Sequence, residues 1–162
     1  MGGKGTWKMR SLRILLVEDS PSDVRLIREA LRDTPVPVHI DVARDGIEAT
    51  DYLHHAEMGL ESRPDLILLD LNLPRKNGRE VLAEIKAAPN LKQIPVLVMT
   101  SSRSDDDVAQ AYSLNANCYI TKPADLQQYQ HVVRAIEDFW FLTATLPDSF
   151  CGSAFSLAAA AR

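Results

Sequence analysis

The stretch "LILLDLNLPRKNG" (Leu66–Gly78) joins an apolar run to a carboxylate and a turn. Its uniformly apolar start is the pattern of a strand buried on both faces of a parallel sheet. The run stops at a carboxylate, Asp70, with Pro74 and the pair Asn77-Gly78 close behind. A charge at the end of a buried strand is costly unless something compensates it. Outward from this stretch, short apolar runs recur as "LRILLV" (12–17), "VHIDVA" (38–43), "IPVLVMT" (94–100) and "CYIT" (118–121). Segments with helical spacing separate them. Ser20, Pro21 and Asp23 form a helix start, with a capping side chain, a proline at the first helical position and an acid in the first turn. Further helices are expected over about 45–58, about 79–88, after Ser104, and from Asp125 to about Leu142. The acidic triplet Asp105–Asp107 reads as a helix start, not as a metal site. Five strands alternating with five helices predict an α/β fold with a doubly wound parallel sheet. "VHIDVA", which alternates and carries His39 and Asp41, is expected at an edge.

The chain has 162 residues, enough for one domain with short appendages, and its net charge of −4 gives no sign of general nucleic-acid affinity. Cys118 and Cys151 make no disulfide framework, which fits a reducing compartment and a cytoplasmic protein. No apolar stretch is long enough to span a bilayer, and "MGGKGTWKMR" lacks the apolar core of a secretory signal. The expected organisation is an arm over 1–10, a domain over 11–142 and a tail over 143–162. The tail is too short for a helix-turn-helix domain, so no direct DNA binding is expected.

In open parallel sheets, ligands bind outside the carboxyl ends of the strands where the strand order reverses. The residues at those ends are Glu18 and Asp19, then Asp70, Thr100 and Lys122. With the strand order 2-1-3-4-5, the first and third strands are neighbours about 4.8 Å apart. Glu18, Asp19 and Asp70 then share a pocket in which they repel one another unless a cation intervenes. Oxygen donors without His or Cys, in an incomplete cage, favour Mg²⁺. A carboxylate, a metal, a hydroxyl and an ammonium make a site for a phosphoryl group, with Asp70 as nucleophile and acceptor. His39, His54, His55 and His131 are not expected as ligands.

"LLVEDS", "LILLDLNLP", "VMTSS" and "YITKP", in this order, resemble the receiver domain of two-component response regulators over roughly residues 11–142. The resemblance implies a doubly wound, five-stranded flavodoxin-like fold with phosphorylation of Asp70 by a sensor histidine kinase. It implies Asp19 as a direct Mg²⁺ ligand, Glu18 through water, and the Asn72 backbone carbonyl as another ligand. Thr100 and Lys122 would hold the phosphoryl oxygens, Tyr119 would be the aromatic switch, and the Lys122–Pro123 bond would be cis. Ser101, where many receivers have Ala, and Lys76 in "PRKNG" depart from the family pattern without touching those ligands. "SPSDV", "LNLPRKNG" and "FWFLTATLP" are more particularly similar to stand-alone receivers that partner bacterial phytochromes.

Other classes fit less well. A haloacid-dehalogenase-like phosphatase needs D-x-D after its first strand, where this chain has "VEDSPS". A flavin-binding flavodoxin needs a phosphate loop rich in Ser, Thr and Gly, and "EDSPSD" is hostile to phosphate without metal. A pseudo-receiver adaptor does not need the full polar set. The last helix carries two apolar stripes, and successive residues point about 100° apart. Phe139, Trp140 and Phe141 therefore cannot all enter one core, so at least one is expected to be covered from outside, either by the tail folding back or, as the favoured expectation, by a homodimer interface at these aromatics.

Overall fold

The computed structural model describes residues 11–147. The expected arm, and the tail from residue 148 including Cys151, lie outside these described residues. The order is β1 (Leu12–Val17), α1 (Pro21–Ala30), β2 (Val38–Ala43), α2 (Gly46–Glu57), β3 (Leu66–Leu69), α3 (Gly78–Ala87), β4 (Val96–Thr100), α4 (Asp105–Ser113), β5 (Cys118–Thr121) and α5 (Leu126–Ile136). All strand pairs are parallel, as the alternation of elements predicts, and the sheet runs β2-β1-β3-β4-β5, the common doubly wound order expected above. In-register pairs such as Val17 with Leu69 bring the carboxyl ends of β1 and β3 level with each other.

The winding reverses after β2. Right-handed crossovers therefore put helices on opposite faces of the sheet. Alternate strand residues divide the core accordingly. Leu15, Val17, Ile67, Leu69 and Val98 pack with Leu53, Val81, Leu82, Ile85 and Ala111 of α2, α3 and α4. Ile14, Leu16, Leu66, Leu68 and Leu97 pack with Ile27 of α1 and with Tyr129, Val133 and Ile136 of α5. The central strand β3 is buried throughout, whereas β2 is mostly half-buried, as an edge strand should be.

Local chemistry sets the helix starts. Ser20 accepts from the Asp23 N–H, Asp45 from those of Ile47 and Glu48, and Asp125 from that of Gln128. Asn77 and Glu80 form a reciprocal capping box, which explains the Asn at the end of the opening stretch. Its neighbour Gly78 is required by space: a Cβ there would lie 2.2 Å from the Asp70 carbonyl oxygen. The β3–α3 loop turns through Arg75, which has φ 67° and reaches Asp45 with its guanidinium at 3.0 Å.

The last helix departs from a regular α-helix over its final turn. Residues Glu137–Phe141 form a π turn, with i→i+5 bonds from Leu142 N–H to the Glu137 carbonyl at 3.1 Å and from Ala144 N–H to that of Phe139. Trp140 and Phe141 pack against the α1/α5 core, while Phe139, at 54% exposure, stands edge-on to Trp140 in the solvent. The widened turn lets two of the three aromatics reach the same core. No peptide bond among the described residues is cis, so Lys122–Pro123 is trans, unlike the geometry that the resemblance implies. The two forms of such a bond differ by only about 0.5–1 kcal/mol.

Candidate functional site

The strand ends place the site residues through main-chain bonds that continue the sheet. Glu18 N–H donates to the Ala43 carbonyl, Asp70 N–H to that of Val17, and Lys122 N–H to that of Thr100, at 2.9, 3.0 and 2.8 Å. Three strands thus deliver two carboxylates and one ammonium to a single crevice. Glu18, Asp70 and Thr100 are buried, and Asp19 is exposed at the rim.

Lys122 Nζ lies 2.7 Å from Asp70 Oδ2 and 2.6 Å from Glu18 Oε2. It also lies 2.9 Å from Asp23 Oδ2. Burial pushes the ammonium pKa down, but the bonds to Asp70, Glu18 and Asp23 outweigh it, so the net shift is upward and Lys122 stays charged. Burial pushes the Glu18 carboxyl up to about 7, and the nearby Asp70 charge adds to the rise. Lys122 and the Ser20 N–H only partly offset it. Asp70 Oδ1 accepts the Asn72 N–H at 3.0 Å, so both oxygens of the carboxylate are oriented. The Asn72 amide donates in turn to Thr100 Oγ1 at 3.4 Å.

Glu18, Asp19 and Asp70 each offer a carboxylate oxygen, and these atoms lie within 4.8 Å of one another. Oxygen-only donors gathered this closely, one of them buried with a raised pKa, suit a hard divalent cation. The crevice opens beside a cleft of about 460 Å³ whose lining includes Arg25, Arg28 and Arg44. Positive charge there offsets the repulsion an anion would meet on approaching a carboxylate cluster.

The expected set Glu18, Asp19, Asp70, Asn72, Thr100 and Lys122 therefore converges at one end of the sheet. Tyr119 lies three residues before Lys122, in β5 and half-buried, and its hydroxyl donates to the Ser102 carbonyl at 3.0 Å. Phe139, Trp140 and Phe141 lie on the last helical turn, well removed in the chain from these strand ends. Asp23 belongs to the site as well. Sequence reading treats it only as a first-turn acid, yet its position at the start of α1, directly after β1, aims it back at the crevice.

Residues 14–134 match the family model described as "Response regulator receiver domain". The chain belongs to this family and is a receiver-domain response regulator. It is 50% identical over 135 residues to response regulator Rcp1 of Synechocystis sp. (strain ATCC 27184 / PCC 6803 / Kazusa), covering 83% of this chain and 92% of that one. The solved structure of the phosphorylated cyanobacterial phytochrome response regulator RcpA is 55% identical, with a TM-score of 0.81 over 85% of this chain and 99% of that one. The Mn²⁺-bound form of Rcp1 gives a TM-score of 0.78 at 50% identity over 84% of this chain and 99% of that one. The chain is thus homologous to stand-alone phytochrome response regulators. No helix among the described residues is long and apolar enough to cross a membrane.

Proposed function

We propose that this receiver accepts a phosphoryl group on Asp70 from a phosphohistidine of a sensor histidine kinase. The observation that carries the reading is the position of Lys122 Nζ, 2.7 Å from Asp70 and 2.6 Å from Glu18 at the mouth of an acidic crevice. An Asp70 carboxylate oxygen forms a bond to phosphorus as the P–N bond breaks. The electron pair remains on the imidazole nitrogen, which takes a proton from solvent. Glu18, Asp19, Asp70 and the Asn72 backbone carbonyl would hold Mg²⁺, which when bound neutralises charge on the transferring oxygens. Thr100 and Lys122 hold the phosphoryl oxygens. Water later cleaves the acyl phosphate, so the protein's only chemistry is its own phosphorylation and dephosphorylation.

The receiver unit is the segment 11–142. Similarity to RcpA and Rcp1 supports a bacterial phytochrome as the kinase. The protein works in the cytoplasm, away from membranes and without direct DNA contact, through phosphorylation-dependent protein contacts. Thr100 and Tyr119 relay the phosphorylated state. A homodimer forms through Phe139, Trp140 and Phe141, supported by the exposure of Phe139 and Leu142 on the last turn. Phosphotransfer from a panel of purified histidine kinases tests the central assignment. Transfer should need Mg²⁺ and should fail with Asp70→Asn; equal labelling of that variant would overturn it.

A further inference from the structure

Lys122 has no donor to spare. An ammonium offers three N–H groups, and Glu18, Asp70 and Asp23 accept at 2.6, 2.7 and 2.9 Å. With Mg²⁺ bound, Glu18 and Asp70 would turn to the metal, and a phosphoryl oxygen on Asp70 would meet Lys122 with Asp23 as its remaining competitor. Asp23 is also the acceptor built to give way. Its contact is the longest, and its side chain is 24% exposed against 2% and 4% for Glu18 and Asp70. It lies outside the three-carboxylate cluster. It also has a second partner, because the Tyr129 hydroxyl donates to Asp23 Oδ1 at 3.3 Å. Its place in the first turn of α1 favours a negative charge there without Lys122.

We propose that Asp23 is a positioning residue that competes with the phosphoryl group for Lys122. It draws the ammonium towards α1 before phosphorylation and yields it afterwards, retaining the Tyr129 hydroxyl. The strength of the Asp23–Lys122 contact then sets how tightly a phosphoryl group is held, since a competitor lowers apparent affinity by the fraction of Lys122 it occupies. This inference rests on the reading of Asp70 and Lys122 given above.

The test is calorimetric titration of the whole chain with beryllofluoride at saturating Mg²⁺. Asp23→Asn and Asp23→Ala should bind about fivefold more tightly than the unaltered protein. Tyr129→Phe should bind about twofold more weakly, because Asp23 then loses its alternative donor and leans on Lys122 alone. A residue that only supports the helix start would shift the unfolding midpoint and leave affinity unchanged. Unchanged or weaker binding in both Asp23 variants overturns the proposal. Should those variants fail to fold, Tyr129→Phe decides it: weaker binding supports competition, and equal or tighter binding overturns it. Asp70→Asn separates the two readings. Undiminished binding there overturns the acceptor assignment, whereas lost binding there with unchanged Asp23 variants overturns the role of Asp23 alone.

Discussion

The Tyr119 hydroxyl donates to the Ser102 backbone carbonyl at 3.0 Å, which ties the aromatic ring of β5 to the loop that follows Thr100. Ser102 Oγ in turn bonds Asp107 at the start of α4, and Asp107 also receives the Arg79 guanidinium from α3. A displacement of Thr100 towards a phosphoryl group therefore pulls on a loop already connected to Tyr119 and α4. A ligand shifts a conformational equilibrium only through such a differential contact. Thr100→Ala should still be phosphorylated, but amide shifts over residues 101–107 and Tyr119 should respond to beryllofluoride far less than in the unaltered protein. An equal response would contradict the coupling.

Gly78→Ala should be severely destabilising. A Cβ at this position meets the Asp70 carbonyl oxygen at 2.2 Å and Leu71 Cα at 2.6 Å, both main-chain atoms that cannot move aside cheaply. The expected loss is about 3 kcal/mol, the upper range for forced overpacking. Urea unfolding measures it, and the same variant should accept phosphate poorly because relief of the clash moves Asp70.

Asp41 should contribute stability that disappears in acid. Burial pushes its carboxyl up, but bonds from Arg13, Tyr52 and His39 outweigh this, and the net shift is downward. A carboxylate whose folded pKa lies below its unfolded value stabilises the fold above the unfolded value, near 3.9. That stability is lost as pH falls through the folded value. Asp41→Asn should thus cost about 1 kcal/mol at neutral pH. Its deficit relative to the unaltered protein should shrink as the pH drops below that of an ordinary aspartate. A deficit independent of pH would assign the effect to packing instead.

The last turn should carry self-association. Phe139 is 54% and Leu142 58% exposed, and Phe139 stands 5.0 Å from Trp140 in an edge-on pair. Sedimentation should find a dimer that the Phe139→Ser, Phe141→Ser double substitution dissociates. A monomer at high micromolar concentration, with or without beryllofluoride, would rule this interface out.

The strands, and the polar residues Glu18, Asp70, Thr100 and Lys122 at their ends, were legible because buried parallel strands read as continuous apolar runs, whereas the strand order followed from the common doubly wound arrangement. Whatever polar residue ends such a run lies at the ligand-binding edge. Asp23 was not legible as a site residue, because a first-turn acid has a sufficient local explanation and only the fold shows Lys122 reaching it. The π turn was equally hidden. Sequence spacing fixes that three consecutive aromatics cannot share one core in a regular helix, but not that the backbone widens to admit two of them. The Gly78 contact is long-range in the same sense: an Asn-Gly pair signals a turn, and only the register of α3 against β3 shows that a side chain there would strike Asp70.

Chemical trapping shows directly whether Asp70 carries the phosphoryl group. The protein is phosphorylated with acetyl phosphate and Mg²⁺, the acyl phosphate is reduced with borohydride, and the peptides are mapped by mass spectrometry. Asp70 should be converted to homoserine, dependent on Mg²⁺. Reduction at Asp19 or any other carboxylate, with Asp70 intact, would contradict it.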